Sequence, residues 1–124
     1  MEVSTEFILI GEDEQEAEDL SSAEPGRIAV IHQALFEGMG DWAKGDPVGA
    51  LHGVVVVGRD KAVCHLVFDL KDVGSLVATG ALPAGASHFG EGVIAVTGGT
   101  GGFAKASGIC EVQTMNPKRY DFFI

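Results

Sequence analysis

The sequence predicts an all-β chain closed into an eight-stranded antiparallel up-and-down, calycin-like barrel, and three observations carry that expectation. Short apolar runs rich in β-branched residues recur eight times in 124 residues, each bounded by turn-forming residues, as in many-stranded β proteins. Glycine occurs 18 times, about twice its usual share of roughly 7%, and falls largely at the breaks. Helical periodicity is weak, and no segment shows a capped amphipathic helix. At 12.9 kDa the chain fits one domain, residues 1–124.

The strands are expected at Ser4–Ile10, Arg27–Phe36, Gly49–Gly58, Lys61–Leu70, Ser75–Leu82, Gly92–Thr97, Ala104–Thr114 and Arg119–Ile124. An acidic loop or flap around residues 11–26 follows the first; it is helix-tolerant but has no apolar face. The third strand carries Val54, Val55, Val56 and Val57 and is apolar on both faces, so something must cover its outer side; a subunit contact, hence a homo-oligomer (dimer or trimer), is expected. Arg59-Asp60 reads as a tight hairpin into the fourth strand. There Ala62, Cys64, Leu66, Phe68 and Leu70 share one wholly apolar face, and Val63, His65, Val67 and Asp69 share the other. The first set is expected in the lumen. Closure removes the exposed edges of a flat sheet, and eight strands leave room for packed side chains or one small ligand.

Acids outnumber bases 18 to 8, for a net charge of −10. That balance disfavours nucleic acid, whose affinity comes from Lys and Arg on phosphates, and anionic membrane surfaces. No apolar run approaches the roughly 20 residues of a membrane helix. The N-terminus Met1-Glu2-Val3-Ser4-Thr5 has no basic start leading to an apolar run and cleavage site, so a cytoplasmic chain is expected. Cys64 and Cys110 are separated by 46 positions, and His32, His52, His65 and His88 are scattered, so no metal site is expected; in a cytoplasmic chain the thiols are expected reduced. His52 and His65 fall on the face opposite the lumen set.

Gly99-Thr100-Gly101-Gly102-Phe103-Ala104 matches the dinucleotide pattern G-x-G-x-x-G/A. That pattern holds pyrophosphate only where a helix opens at the glycines. Here a strand-like stretch with Gly108 follows, so a turn is expected. The acidic run lacks the spacing of a calcium loop. Trp42, between Gly40 and Gly45, could plug a barrel end or stack on a ligand. Alternation sets Lys105, Ser107, Ile109, Glu111 and Gln113 outward and Ala106, Gly108, Cys110 and Val112 inward.

Val93-Ile94-Ala95-Val96-Thr97-Gly98-Gly99-Thr100-Gly101-Gly102-Phe103, followed by Ala106-Ser107-Gly108, resembles the motif of the allene oxide cyclase and dirigent barrel superfamily. Gly49-Ala50-Leu51-His52-Gly53, preceded by Gly40-Asp41 and Asp46-Pro47, is similar to a dirigent stretch; Asp72-Val73-Gly74 through Gly80 and the closing Pro117-Lys118-Arg119-Tyr120 extend the likeness over roughly residues 40–124. The resemblance implies an eight-stranded barrel, usually homo-oligomeric, that holds a small hydrophobic substrate in an apolar lumen and steers ring closure or radical coupling. Bacterial relatives include spirotetronate cyclases, which direct (4+2) cycloadditions. The chain departs from the family patterns in two places: Val55 stands near the plant cyclase's lumen cysteine, and Ser107 replaces the arginine of a dirigent triplet. The resemblance also puts Ser107, Ile109 and Glu111 in the lumen, against the alternation.

The function expected is that of a cofactor-free cyclase or isomerase acting on a hydrophobic biosynthetic intermediate. Leu51, Val55, Cys64, Leu66 and Phe68 would line the pocket, with Trp42 at a mouth and Ser107 as a polar anchor. Glu111, its pKa raised by desolvation, would be the catalytic acid. The rival expectation is a non-catalytic carrier or dirigent-like barrel.

Overall fold

The computed structural model describes residues 6–13, 24–39, 43–84, 91–114 and 118–124. Eight strands, β1 (Glu6–Asp13), β2 (Ile28–Met39), β3 (Ala43–Val57), β4 (Lys61–Leu70), β5 (Gly74–Pro83), β6 (Gly92–Gly99), β7 (Gly108–Gln113) and β8 (Lys118–Phe123), follow one another in sequence order. Each pairs antiparallel with the next, and β1 pairs with β8, so the sheet closes into a barrel. No helix among the described residues is long and apolar enough to cross a membrane.

Period-two alternation places the core inside. On β4, Ala62, Cys64, Leu66, Phe68 and Leu70 are buried while Val63, His65 and Asp69 are exposed. The register then carries the inward face round the barrel: Leu51 lies opposite Phe68 and Val55 opposite Cys64, while Phe68 faces Leu76 across β5. Burying an aliphatic or aromatic side chain stabilises by roughly 1.5–3 kcal/mol, and Leu35, Leu51, Phe68, Leu76 and Phe122 are fully enclosed. Where inward positions are glycine, a neighbour fills the space: Leu66 leans over Gly53 and Ile94 over Gly80.

Several strand boundaries differ from the sequence expectation, β2 running on to Met39 among them. Gly11, Glu12 and Asp13 belong to β1 rather than to a loop, because they continue the ladder opposite Leu35, Ala34 and Gln33; positions 14–23 of the acidic stretch lie outside the described residues. β3 starts at Ala43, and its pairing with β2 slips around Phe36. β7 starts only at Gly108 because Gly101–Phe103 forms a single 3-10 turn. Gly101 sits at φ +58°, the left-handed region that favours glycine.

That turn docks on the β4–β5 connection. The Gly102 amide donates to the Val73 carbonyl at 2.8 Å and the Thr100 amide to Ser75 at 2.9 Å. The Thr100 hydroxyl accepts from the Ser75 amide at 3.1 Å. The glycine motif is thus a closure device at one barrel end. The opposite end carries the Arg59-Asp60 hairpin, where the Gly58 amide donates to Lys61 at 2.7 Å.

Candidate functional site

The lumen is graded along the barrel axis. Toward the glycine turn it is filled by large side chains, and an aromatic series crosses it: Phe103 on Phe7 (6.2 Å between centroids), Phe7 on Phe122 (4.9 Å), then Phe68 edge-on to both Phe122 (4.9 Å) and Tyr120 (5.0 Å). Toward the Arg59-Asp60 end the wall has no aromatic side chain and combines Ala29, Val55, Ala62 and Cys64 with Val57, Leu82 and Ile94. Tyr120 sits at the boundary between the two halves.

One polar chain interrupts this apolar interior. The Tyr120 hydroxyl donates to Gln33 Oε1 at 2.7 Å, and Gln33 Nε2 donates to Asp13 Oδ1 at 3.0 Å. Lys118 Nζ pairs with the other oxygen of Asp13. Gln33 and Tyr120 are buried, whereas Asp13 and Lys118 are partly open toward the Arg59-Asp60 end. The ladder explains the placement: Asp13 faces Gln33 across β1–β2, and Gly11 leaves room beside both Gln33 and Tyr120. Burial pushes the Tyr120 phenol well above its ordinary pKa, with the Gln33 hydrogen bond opposing and the Cys110, Asp13 and Cys64 charges adding to the rise. Burial likewise pushes the Cys64 thiol up to about 11. Cys110 rises to about 12 through burial, then through the charges of Asp121 and Glu111. At neutral pH the lumen therefore holds a neutral phenol, an amide and two protonated thiols. These groups orient and hydrogen-bond; they are not activated nucleophiles.

Leu51, Val55, Cys64, Leu66 and Phe68 all lie on the inner face, Leu51 and Phe68 in the filled half and Val55 and Cys64 in the half without aromatic side chains. Trp42 lies outside the described residues. For β7 the structure corrects the reading drawn from family resemblance. Cys110 and Val112 are buried, facing Ile94 and Tyr120 respectively. Ile109 and Glu111 therefore take the outer face, and Ser107 is exposed before the strand begins. Glu111 pairs in register with Asp121, whose carboxylate accepts two hydrogen bonds from Arg119, at 2.6 and 3.0 Å. Neither Ser107 nor Glu111 reaches the lumen. Both cysteines are free, and no group of three or more potential metal ligands occurs among the described residues.

The family model for dirigent-like proteins matches residues 4–123. The chain belongs to the dirigent-like family. A search of curated proteins returns no match. Among solved structures, the dirigent-like barrel is similar to a pyocyanin demethylase, with a TM-score of 0.71 at 23% identity over 97% of this chain and 98% of that one. It is also similar to two pterocarpan synthase dirigent proteins. GePTS1 gives a TM-score of 0.64 at 16% identity, covering 98% of this chain and 82% of that one. PsPTS1 gives 0.60 at 14%, covering 98% and 92%. At these identities the likeness establishes the shared barrel.

The polar chain is what the residue patterns missed in this dirigent-like barrel. Its signal was present on β2, where Gln33 is the one amide in the inward series Ala29, Ile31, Gln33, Leu35. On β8, Tyr120 alternates with Phe122 on the inner face. A lone polar group at an inward position demands a partner, and that demand could have been read before the partner was known.

Proposed function

We propose that this dirigent-like barrel binds one small hydrophobic molecule in the half of its lumen beside Ala29, Val55, Ala62 and Cys64, without a cofactor, and folds it toward ring closure as a cyclase or isomerase does. The observation that carries this reading is the buried Tyr120–Gln33–Asp13 chain. A barrel filled only for stability gains little from desolvating an amide and a phenol, whereas a pocket for an apolar ligand needs a few placed polar groups to fix orientation. Preorganisation of this kind can lower a barrier by up to roughly 7–11 kcal/mol. A (4+2) cycloaddition within a linear polyene suits such a site. Two σ bonds form from two π bonds inside one molecule, so no proton, electron or leaving group needs a receiver. Carriage without turnover is the second reading, and it is favoured by the protonated thiols and neutral phenol, which supply no activated nucleophile. The working assembly is a homo-oligomer, supported by the exposed apolar side chains of β2, β3 and β4.

Native mass spectrometry of protein purified from its own host, followed by organic extraction, tests the reading. The expected result is one apolar molecule per subunit, lost from a folded Val55→Trp variant. Unchanged retention by Val55→Trp would place the ligand elsewhere. Conversion of linear unsaturated precursors to cyclic isomers of equal mass separates a cyclase from a carrier.

A further inference from the structure

On one side of the glycine-turn end the ladder of the closed barrel becomes irregular. The β1–β2 ladder stops at Leu9 opposite Glu37, yet β1 remains paired with β8 back to Glu6. The β2–β3 pairing slips twice between Leu35 and Gly38, and such irregularities bend a strand. The regular ladder thus stops short of the start of β1, where Gly38 of β2 packs on Ile8 instead of pairing with it. A cavity of about 740 Å³ occupies this region, closed from below by the β4–β5 connection.

Its lining has two characters. Phe7 and Ile8 of β1, Val48 of β3 and Val73 of the β4–β5 connection supply apolar surface, with Leu9 and Leu70 buried behind it. Glu6, Glu37 and Asp72 supply three carboxylates against one cation, Lys71. Among the described residues the ion pairs use Glu12, Asp13 and Asp121 rather than these three acids. The volume falls within the roughly 300–1,000 Å³ of small-molecule sites.

We infer that this cavity is a second ligand site, separate from the Tyr120–Gln33 half of the lumen, and that it takes an amphiphilic cation. The aliphatic or aromatic body rests on Phe7, Ile8, Val48 and Val73, and an ammonium head sits among Glu6, Glu37 and Asp72. An anionic amphiphile of equal length meets the same apolar floor but the opposite electrostatic sign.

Titration calorimetry with decyltrimethylammonium and decanesulfonate, both below their micelle concentrations, reads this directly, and amide chemical shifts locate the binding. The ammonium is expected to bind at least tenfold more tightly, with the preference shrinking between 10 and 150 mM salt as screening shortens from about 30 to 8 Å. Glu37→Gln and Asp72→Asn should each weaken it up to about fivefold, the scale of one exposed charge pair. Shifts should concentrate at residues 7–9, 48 and 70–73. Equal affinity for the two amphiphiles, no binding of either, or shifts centred on Val55 and Cys64 would each overturn the inference. None of those results bears on whether the Tyr120–Gln33 half holds a ligand of its own, except the last, which would favour it.

Discussion

Gln33 lies between Ile31 and Leu35 on the inner face of β2, where an amide loses its water and recovers its stability only through Tyr120 and Asp13. Tyr120→Phe removes a donor and leaves Gln33 Oε1 buried without it, which should cost about 1–3 kcal/mol. Gln33→Leu should cost a similar amount by stranding the Tyr120 hydroxyl. The double variant should cost less than the sum, because neither unsatisfied atom then remains. Urea midpoints at constant m-value check this, and strict additivity would show that the two groups are not coupled. The same pair shows how far a side chain's role was legible. Leu51, Val55, Cys64, Leu66 and Phe68 announce their facing through period-two alternation within single strands. Tyr120 meets Gln33 across 87 positions, and only barrel closure brings them together. Ser107 and Glu111 went astray through the family resemblance, whereas the alternation within the strand had already set Cys110 and Val112 inward, where the structure has them.

At the level of elements, the glycine turn closes a barrel end, a different use from the pyrophosphate cradle that the same pattern forms where a helix follows it. Gly101 has φ +58°, and a Cβ there would sit 2.5 Å from the Val73 carbonyl oxygen. Gly101→Ala should therefore destabilise by about 1–2 kcal/mol from the left-handed backbone alone, with the Val73 clash added. At Gly102 a Cβ would come no closer than 3.3 Å, so Gly102→Ala should be milder. Calorimetric unfolding of the two variants gives the order, and equal losses would mean that docking on β4–β5 does not depend on Gly101. The strands themselves were legible because each run alternates and ends at a turn residue. β4 matches its sequence limits throughout, as Lys61–Leu70. The extension of β3 back to Ala43 was not legible, since Gly45 and Pro47 read locally as breakers and are held in the strand only by pairing with β2.

For the whole molecule, the outer face of β2–β4 joins the patterning of single strands to assembly. Ile28 lies opposite Val56, which lies opposite Val63; Val30 lies opposite Val54, which lies opposite His65. Beyond them His32 stacks on His52 at 4.8 Å. In the single chain Val30 is 82% exposed and Val63 57%, so this grid presents apolar surface with no carboxylate inside it, on a chain of net charge −10. Contiguous exposed apolar surface of this sort marks association, and identical chains associate most often through closed symmetric contacts. The sign of the salt dependence follows. In the proposed assembly each subunit would repel the next through its net charge, while the apolar grid would attract at short range. Raising salt from 10 to 150 mM shortens the repulsion and should strengthen assembly, the reverse of an interface held by ion pairs. Light scattering after size exclusion should give a dimer or trimer for the wild type, more complete at the higher salt. Val30→Glu with Val63→Glu should give a folded single chain at both, because each copy would bring a desolvated carboxylate to the contact. A wild type that remains a single chain at both salt concentrations would leave this face to a different partner.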